Sequence, residues 1–138
     1  MKLNIEEYKK KRDFYCETGA TSEQIENAET ELGLRFAEEY KEYLQQFGAV
    51  SCGGHELTGF SADENLDVVH VTVNNLKRNP NISKPFYVIE ETHIDGIVIW
   101  QTETGEIYKT EYKGSPQKIF ESLAEYITTF EELPDLDA

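Results

Sequence analysis

Cysteine, methionine, tryptophan and proline are scarce in this chain of 138 residues: two, one, one and four respectively. Cys16 and Cys52 can pair only once, so no disulfide framework supports the fold, and in a reducing compartment both are expected as thiols. No uninterrupted apolar run exceeds four residues, as in Ile97 to Trp100, which is far too short to span a bilayer. The opening MKLNIEEYKKKRDFY has no apolar centre of the kind a secretion signal needs, so the cytoplasm is the expected location. Internal repeats, low-complexity tracts and Pro/Ser/Gly-rich linkers are also missing, which points to one domain over 1–138, large enough to bury roughly two-thirds of its unfolded surface.

Positive charge is the other scarcity. Lysine and arginine number 13 against 27 acidic residues, a formal charge of −14. Five of those 13 cations lie in the first twelve residues, whereas Asp13 through Asp67 carry thirteen acids against only Arg35 and Lys41. Such a body repels phosphate backbones, which argues against direct binding of nucleic acid or of an anionic membrane and favours a basic partner. Acidity that merely keeps the chain soluble is the competing reading.

What is present begins with helices. Thr21 and Gln24 are spaced as a capping box, Ile25, Ala28 and Leu32 recur at helical spacing among glutamates, and Gly33 supplies a stop. A second helix carries Tyr40, Tyr43, Leu44 and Phe47 on one stripe and ends at Gly48. Upstream, Leu3, Ile5, Tyr8, Phe14 and Tyr15 make a weak helical pattern within an N-terminal segment 1–20, with Lys9 to Arg12 as a solvated face.

Past Gly48, Ser51 to Gly54 reads as a loop and His55 to Phe60 as a short strand, followed by the polar stretch Ser61 to Asn65. Leu66 to Leu76 is open between two forms: Val68, Val69, Val71, Thr72 and Val73 favour a strand by type, while Leu66, Val69, Val73 and Leu76 share a helical face. Phe86 to Glu91, Gly96 to Gln101 and Glu106 to Tyr112 form a meander with Asp95-Gly96 and Thr104-Gly105 turns. Its middle run is apolar on both faces and should be a central strand. Pro116 suits a first helical turn, with Ile119, Leu123, Tyr126, Ile127 and Phe130 marking a closing helix that Pro134 ends. The expected fold is α+β: one antiparallel sheet packed against N-terminal helices and a C-terminal helix.

No catalytic constellation stands out. Cys52-Gly53-Gly54-His55 has the spacing of half a zinc site, but no second Cys/His pair completes it, since His70 and His93 are isolated. A Cys52 nucleophile has no identifiable base or oxyanion hole. Glu90 and Glu91 are strand neighbours and point to opposite faces, so they cannot form one acid/base pair. Gly53-Gly54 is not followed by Lys-Ser/Thr and a helix, which excludes a phosphate loop.

The motif Ile25-x-x-Ala28-Glu29-x-x-Leu32-Gly33, then Phe36-Ala37-x-x-Tyr40-Lys41-x-x-Leu44 and Phe47-Gly48, resembles the SUKH superfamily, which joins a yeast cell-wall-assembly regulator to bacterial immunity proteins. The likeness runs from about Thr21 to Phe130 and extends to the small YobK-type members of bacilli. Ala37 stands where the family usually has proline. The resemblance implies a non-enzymatic protein, without cofactor or metal, that binds and neutralises a toxin, often a nuclease. An acidic body could occlude the cationic surface of such a nuclease. Glu56, Asp63, Glu64, Glu90, Glu91, Asp95 and Glu103 are the expected charged contacts, with Trp100, Tyr108 and Tyr112 as aromatic anchors. A regulatory adaptor for cell-wall or signalling proteins and a small hydrolase using Cys52 are the alternatives.

Overall fold

The computed structural model describes residues 14–82, 85–112 and 114–132. In chain order these form β1 (Tyr15–Cys16), α1 (Ser22–Leu32), α2 (Glu38–Phe47), β2 (Val50–Cys52), β3 (His55–Leu57), α3 (Val68–Arg78), β4 (Tyr87–Glu91), β5 (Val98–Gln101), β6 (Ile107–Thr110), β7 (Gln117–Phe120) and α4 (Leu123–Thr128). Short 3-10 turns occupy Glu64–Leu66 and Thr129–Glu132. The helical pattern read across the N-terminus lies outside the described residues as far as Asp13, as does the stop at Pro134. Of the remainder of that segment, Tyr15 and Cys16 are strand, paired with Ser51 and Val50.

The two N-terminal helices form for the expected reasons. The Thr21 hydroxyl accepts the Gln24 N–H at 3.1 Å while the Gln24 side chain accepts the Thr21 N–H at 2.8 Å, and Gly33 closes α1 in the left-handed conformation. Ile25 and Ala28 are buried and Leu32 half-buried. In α2 all four residues of the apolar stripe are buried. Glu29 explains why its motif position is acidic: its carboxylate accepts the Phe36 N–H at 2.9 Å and bends the chain from α1 into α2.

Ser51 and Cys52 are strand rather than loop. β2 and β3 pair as a hairpin across Gly53-Gly54, both at positive φ, the geometry of a two-residue turn that splays neither strand. Beyond Leu57 the backbone turns through Thr58, whose N–H donates to Ile89 O at 2.8 Å. The undecided stretch is a helix. Asp67 caps α3 by accepting the His70 N–H at 3.2 Å, and Thr72, the strand-favouring residue in its middle, accepts the Val88 N–H at 2.9 Å from beneath.

The larger sheet is an antiparallel β4-β5-β6-β7 meander, and β5 is internal as read. Its two faces support two cores. Tyr87, Ile89, Ile99 and Ile107 join α1, α2, α4 and the β2–β3 hairpin in the main one. Val88, Val98 and Trp100 join Val71 and Phe86 in a smaller one under α3. β7 departs from expectation: Gln117 to Phe120 extend the sheet, so Pro116 opens no helix, and Ile119 belongs to this edge strand. The closing helix starts only at Leu123, where Ser122 accepts the Glu125 N–H at 3.1 Å. Leu123, Tyr126, Ile127 and Phe130 are buried as expected. Among the described residues no helix is long and apolar enough to cross a membrane.

Candidate interaction surface

The carboxylates and aromatics named from sequence fall on different parts of the molecule. Glu56, Asp63, Glu64, Asp95 and Glu103 are exposed, and Glu91 is half-buried. Tyr112 is 78% exposed, whereas Tyr108 is half-buried and lies edge-on to Phe86, ring centroids 5.0 Å apart.

Two of the named residues are corrected by their burial. Trp100 is fully buried, and its indole N–H donates to Thr110 Oγ1 at 3.0 Å beneath α3 and Phe86. The apolar bulk on both faces of β5 already required a cover, and the cover leaves no indole surface for a partner. Glu90 is 3% exposed. Between Val88 and Glu90 the pairing with β5 shifts by one residue, and this bulge turns Glu90 toward the same core as Ile89. There its carboxylate accepts the Tyr126 hydroxyl and the Glu56 N–H at 3.0 Å. It also meets His55 Nδ1 at 3.0 and 3.2 Å. Burial and the Glu90 charge push the Tyr126 hydroxyl far above the ordinary tyrosine range. Glu91, one residue on, faces α3 and accepts from Asn75 Nδ2 at 3.0 Å, so the two glutamates do lie on opposite faces.

The His55–Glu90 pair has the orientation of a base held by a carboxylate, and Cys52 is the cross-strand partner of His55. Chemistry there would need an accessible thiol. Cys52 is 1% exposed within the main core, and the His55 ring stacks on Phe130 at 3.7 Å with 8° between planes. The arrangement ties α4 and the 3-10 turn after it to the β2–β3 hairpin. Among the described residues no group of three or more His, Cys, Asp or Glu could hold a metal ion.

Of the clefts among the described residues, two bear on the residues named above. One, of about 440 Å³, lies between the end of α3 and the β4–β5 turn; Asn75, Arg78, Glu91, His93, Gly96 and Tyr112 are among its walls. His93 and Asp95 both hold positive φ in that turn, and Ile94 projects beside them, 64% exposed. This is where sequence reading and geometry meet, because Glu91 and Tyr112 line the cleft and Asp95 lies in the turn beside it. The Arg78 guanidinium, 4.0 Å from Glu91, makes its charge mixed.

The other cleft, of about 600 Å³, runs between α1 and α3. Gln24, Asn27, Ala28 and Glu31 line it from α1 and Val69, His70 and Val73 from α3, each set sharing one helical face. Phe60, Ser61, Glu64 and Asp67 close one end. The groove continues past Phe60 and Asp67 to Glu17 and Thr18. Among the described residues, none that lines either stretch is lysine or arginine. His70 Nε2 lies 3.7 Å from Glu64. Only Glu64, with Asp63 beside it, was nameable from sequence; Glu17, Glu31 and Asp67 were not. Their shared signal, the periodicity of the polar side of α1 against a capped α3, appears only once residues 68–78 are read as helix.

No curated protein matches this sequence. A family model described as SMI1-KNR4 cell-wall, SUKH_5, matches residues 1–131. That span takes in every described element but the last residue of the final 3-10 turn, and the α+β architecture agrees with it: the chain belongs to the SUKH_5 branch of the SMI1-KNR4 family.

Proposed function

We propose that this protein is an immunity protein that binds a toxin and neutralises it without chemistry of its own, in the cytoplasm. The family takes in toxin immunity proteins as well as cell-wall regulators. The observation that carries the reading is the charge: 27 acidic against 13 basic side chains, with Glu56, Asp63, Glu64, Asp95 and Glu103 exposed. A protein so charged is drawn to cationic surfaces and repelled by nucleic acid. The partner that fits is a basic nuclease domain, whose substrate-binding face the acidic body would cover while using the attraction meant for phosphate. Tyr112, which shares a cleft with Glu91, would supply an aromatic anchor. Burial of Cys52 supports a non-catalytic role.

The test is co-expression with the C-terminal domain of a toxin encoded next to this gene, scoring growth, followed by association rates of the purified pair at two salt concentrations. Rescue, with an association rate that falls roughly tenfold or more from 0.05 to 0.5 M salt, is expected. Growth arrest despite full expression of this protein overturns the reading. The cell-wall description of the matched family supports one second reading, a regulatory adaptor, which would leave toxin survival unchanged.

A further inference from the structure

Two helices side by side offer a channel that a third helix can fill, provided the floor is apolar and the walls suit its flanking charges. The α1–α3 groove meets both conditions. Its floor is Ala28, Phe60, Val69 and Val73, with Val73 36% exposed on the open side. Its walls carry Glu31, Glu64 and Asp67, and Glu17 stands at the continuation. Among the described residues no lysine or arginine lines the groove, so these carboxylates act on an occupant with one sign. Asp67 gives part of its capacity to capping α3, whereas Glu31 is exposed on the last turn of α1.

We infer that this groove is the seat of a cationic amphipathic helix presented by the protein partner: aliphatic side chains against Phe60, Val69 and Val73, and lysine or arginine against Glu31, Glu64 and Glu17. The inference rests on the partner being basic, as proposed above, and adds where it sits and what shape it offers. The cleft between α3 and the β4–β5 turn is a poorer seat for such a segment, because Arg78 stands in its wall.

The probe is a synthetic helix with leucine on one face and lysine on the other, titrated into the isotope-labelled full chain and followed by amide shifts. Shifts confined to α1, residues 59–67 and α3 are expected. Glu31→Lys with Glu64→Lys should weaken binding tenfold or more, while Glu38→Lys with Glu42→Lys, an equal step in net charge on the exposed side of α2, should change it less than about twofold. Matching thermal midpoints show that the variants fold. Shifts centred elsewhere, or equal loss from the Glu38→Lys, Glu42→Lys pair, overturn the groove. Equal affinity for a peptide whose leucines are replaced by serine overturns the role of its apolar floor.

The Glu31→Lys, Glu64→Lys variant separates the two proposals in the growth assay. Rescue by the natural protein but not by the variant supports the groove as the toxin's seat. Equal rescue by both overturns the groove and leaves neutralisation standing. Peptide binding in the groove without any rescue overturns neutralisation and leaves the groove standing.

Discussion

The backbone N–H of Ala37 donates to the buried hydroxyl of Tyr87 at 2.9 Å. That hydroxyl in turn donates a hydrogen bond to Gln101 Oε1 at 2.8 Å. The Gln101 amide then donates to Glu39 at 3.1 Å, and Glu39 accepts the Leu123 and Ala124 N–H groups that open α4. One run of hydrogen bonds thus joins the starts of α2 and α4 through β4 and β5. Ala37 is the N-cap of α2, and a proline there would have no N–H to donate.

Tyr87→Phe should therefore lower stability by about 1–3 kcal/mol, since it leaves a buried amide donor and a buried amide acceptor without their partner. Urea denaturation with a constant slope would show it. A change below about 0.5 kcal/mol would mean that the network contributes little.

Leu44 is fully buried between the aromatic residues of α2 and the rest of the main core. Leu44→Ala should lose roughly 2–5 kcal/mol, through lost transfer energy and the cavity left behind. An unchanged denaturation midpoint would contradict the packing of α2.

Glu90→Gln replaces an acceptor of three donors by a group that turns an NH2 toward one of them. A loss of about 1.5–3 kcal/mol is expected. Glu91→Gln, with Arg78 4.0 Å away at the surface, should cost less than about 1 kcal/mol. Equal effects would contradict the difference in burial between the two neighbours.

Alkaline pH should destabilise the fold. Burial holds the hydroxyls of Tyr40, Tyr43, Tyr87 and Tyr126 far above the ordinary range. Above pH about 10 the unfolded chain releases protons that the native one keeps, so the unfolded state binds fewer and stability falls as pH rises. Absorbance titration should find these four of the eight tyrosines ionising only with unfolding. Smooth ionisation of all eight in the native state would refute this.

Local signals were enough where an element carries its own stop and start. α1 has Thr21, Gln24 and Gly33, and α2 has a full apolar stripe, so both were legible. β5 declared itself central because Val98 and Trp100 are as apolar as Ile97 and Ile99. α3 was ambiguous because valine and threonine favour a pleated surface in isolation; the Asp67 cap and the fit of Thr72 against β4 decide for helix. β7 was hidden because four residues are too few to show a period, and Pro116 with Ile119 imitates a helix start. The surface list suffered most where burial depends on distant segments. Trp100 is hidden by α3, and Glu90 by a bulge and by Tyr126 from α4, none of which is written next to them in the chain.

The extra residue that β4 inserts opposite β5 also sets a limit on how this strand can change in length. Tyr87 and Ile89 feed the main core, Val88 the smaller one, and Glu90 returns to the main side only because the pairing skips a place. Deleting Ile89 would make the ladder regular with Glu90 still opposite Ile99, but would take the Ile89 side chain out of the main core, whereas a pairing place for Ile89 opposite Ile99 in β5 would put Glu90 opposite Val98 and swing the carboxylate under α3, away from Tyr126, His55 and the Glu56 amide. Lineages descended from this protein should vary freely in the loops on either side of β4 but keep its count of residues fixed.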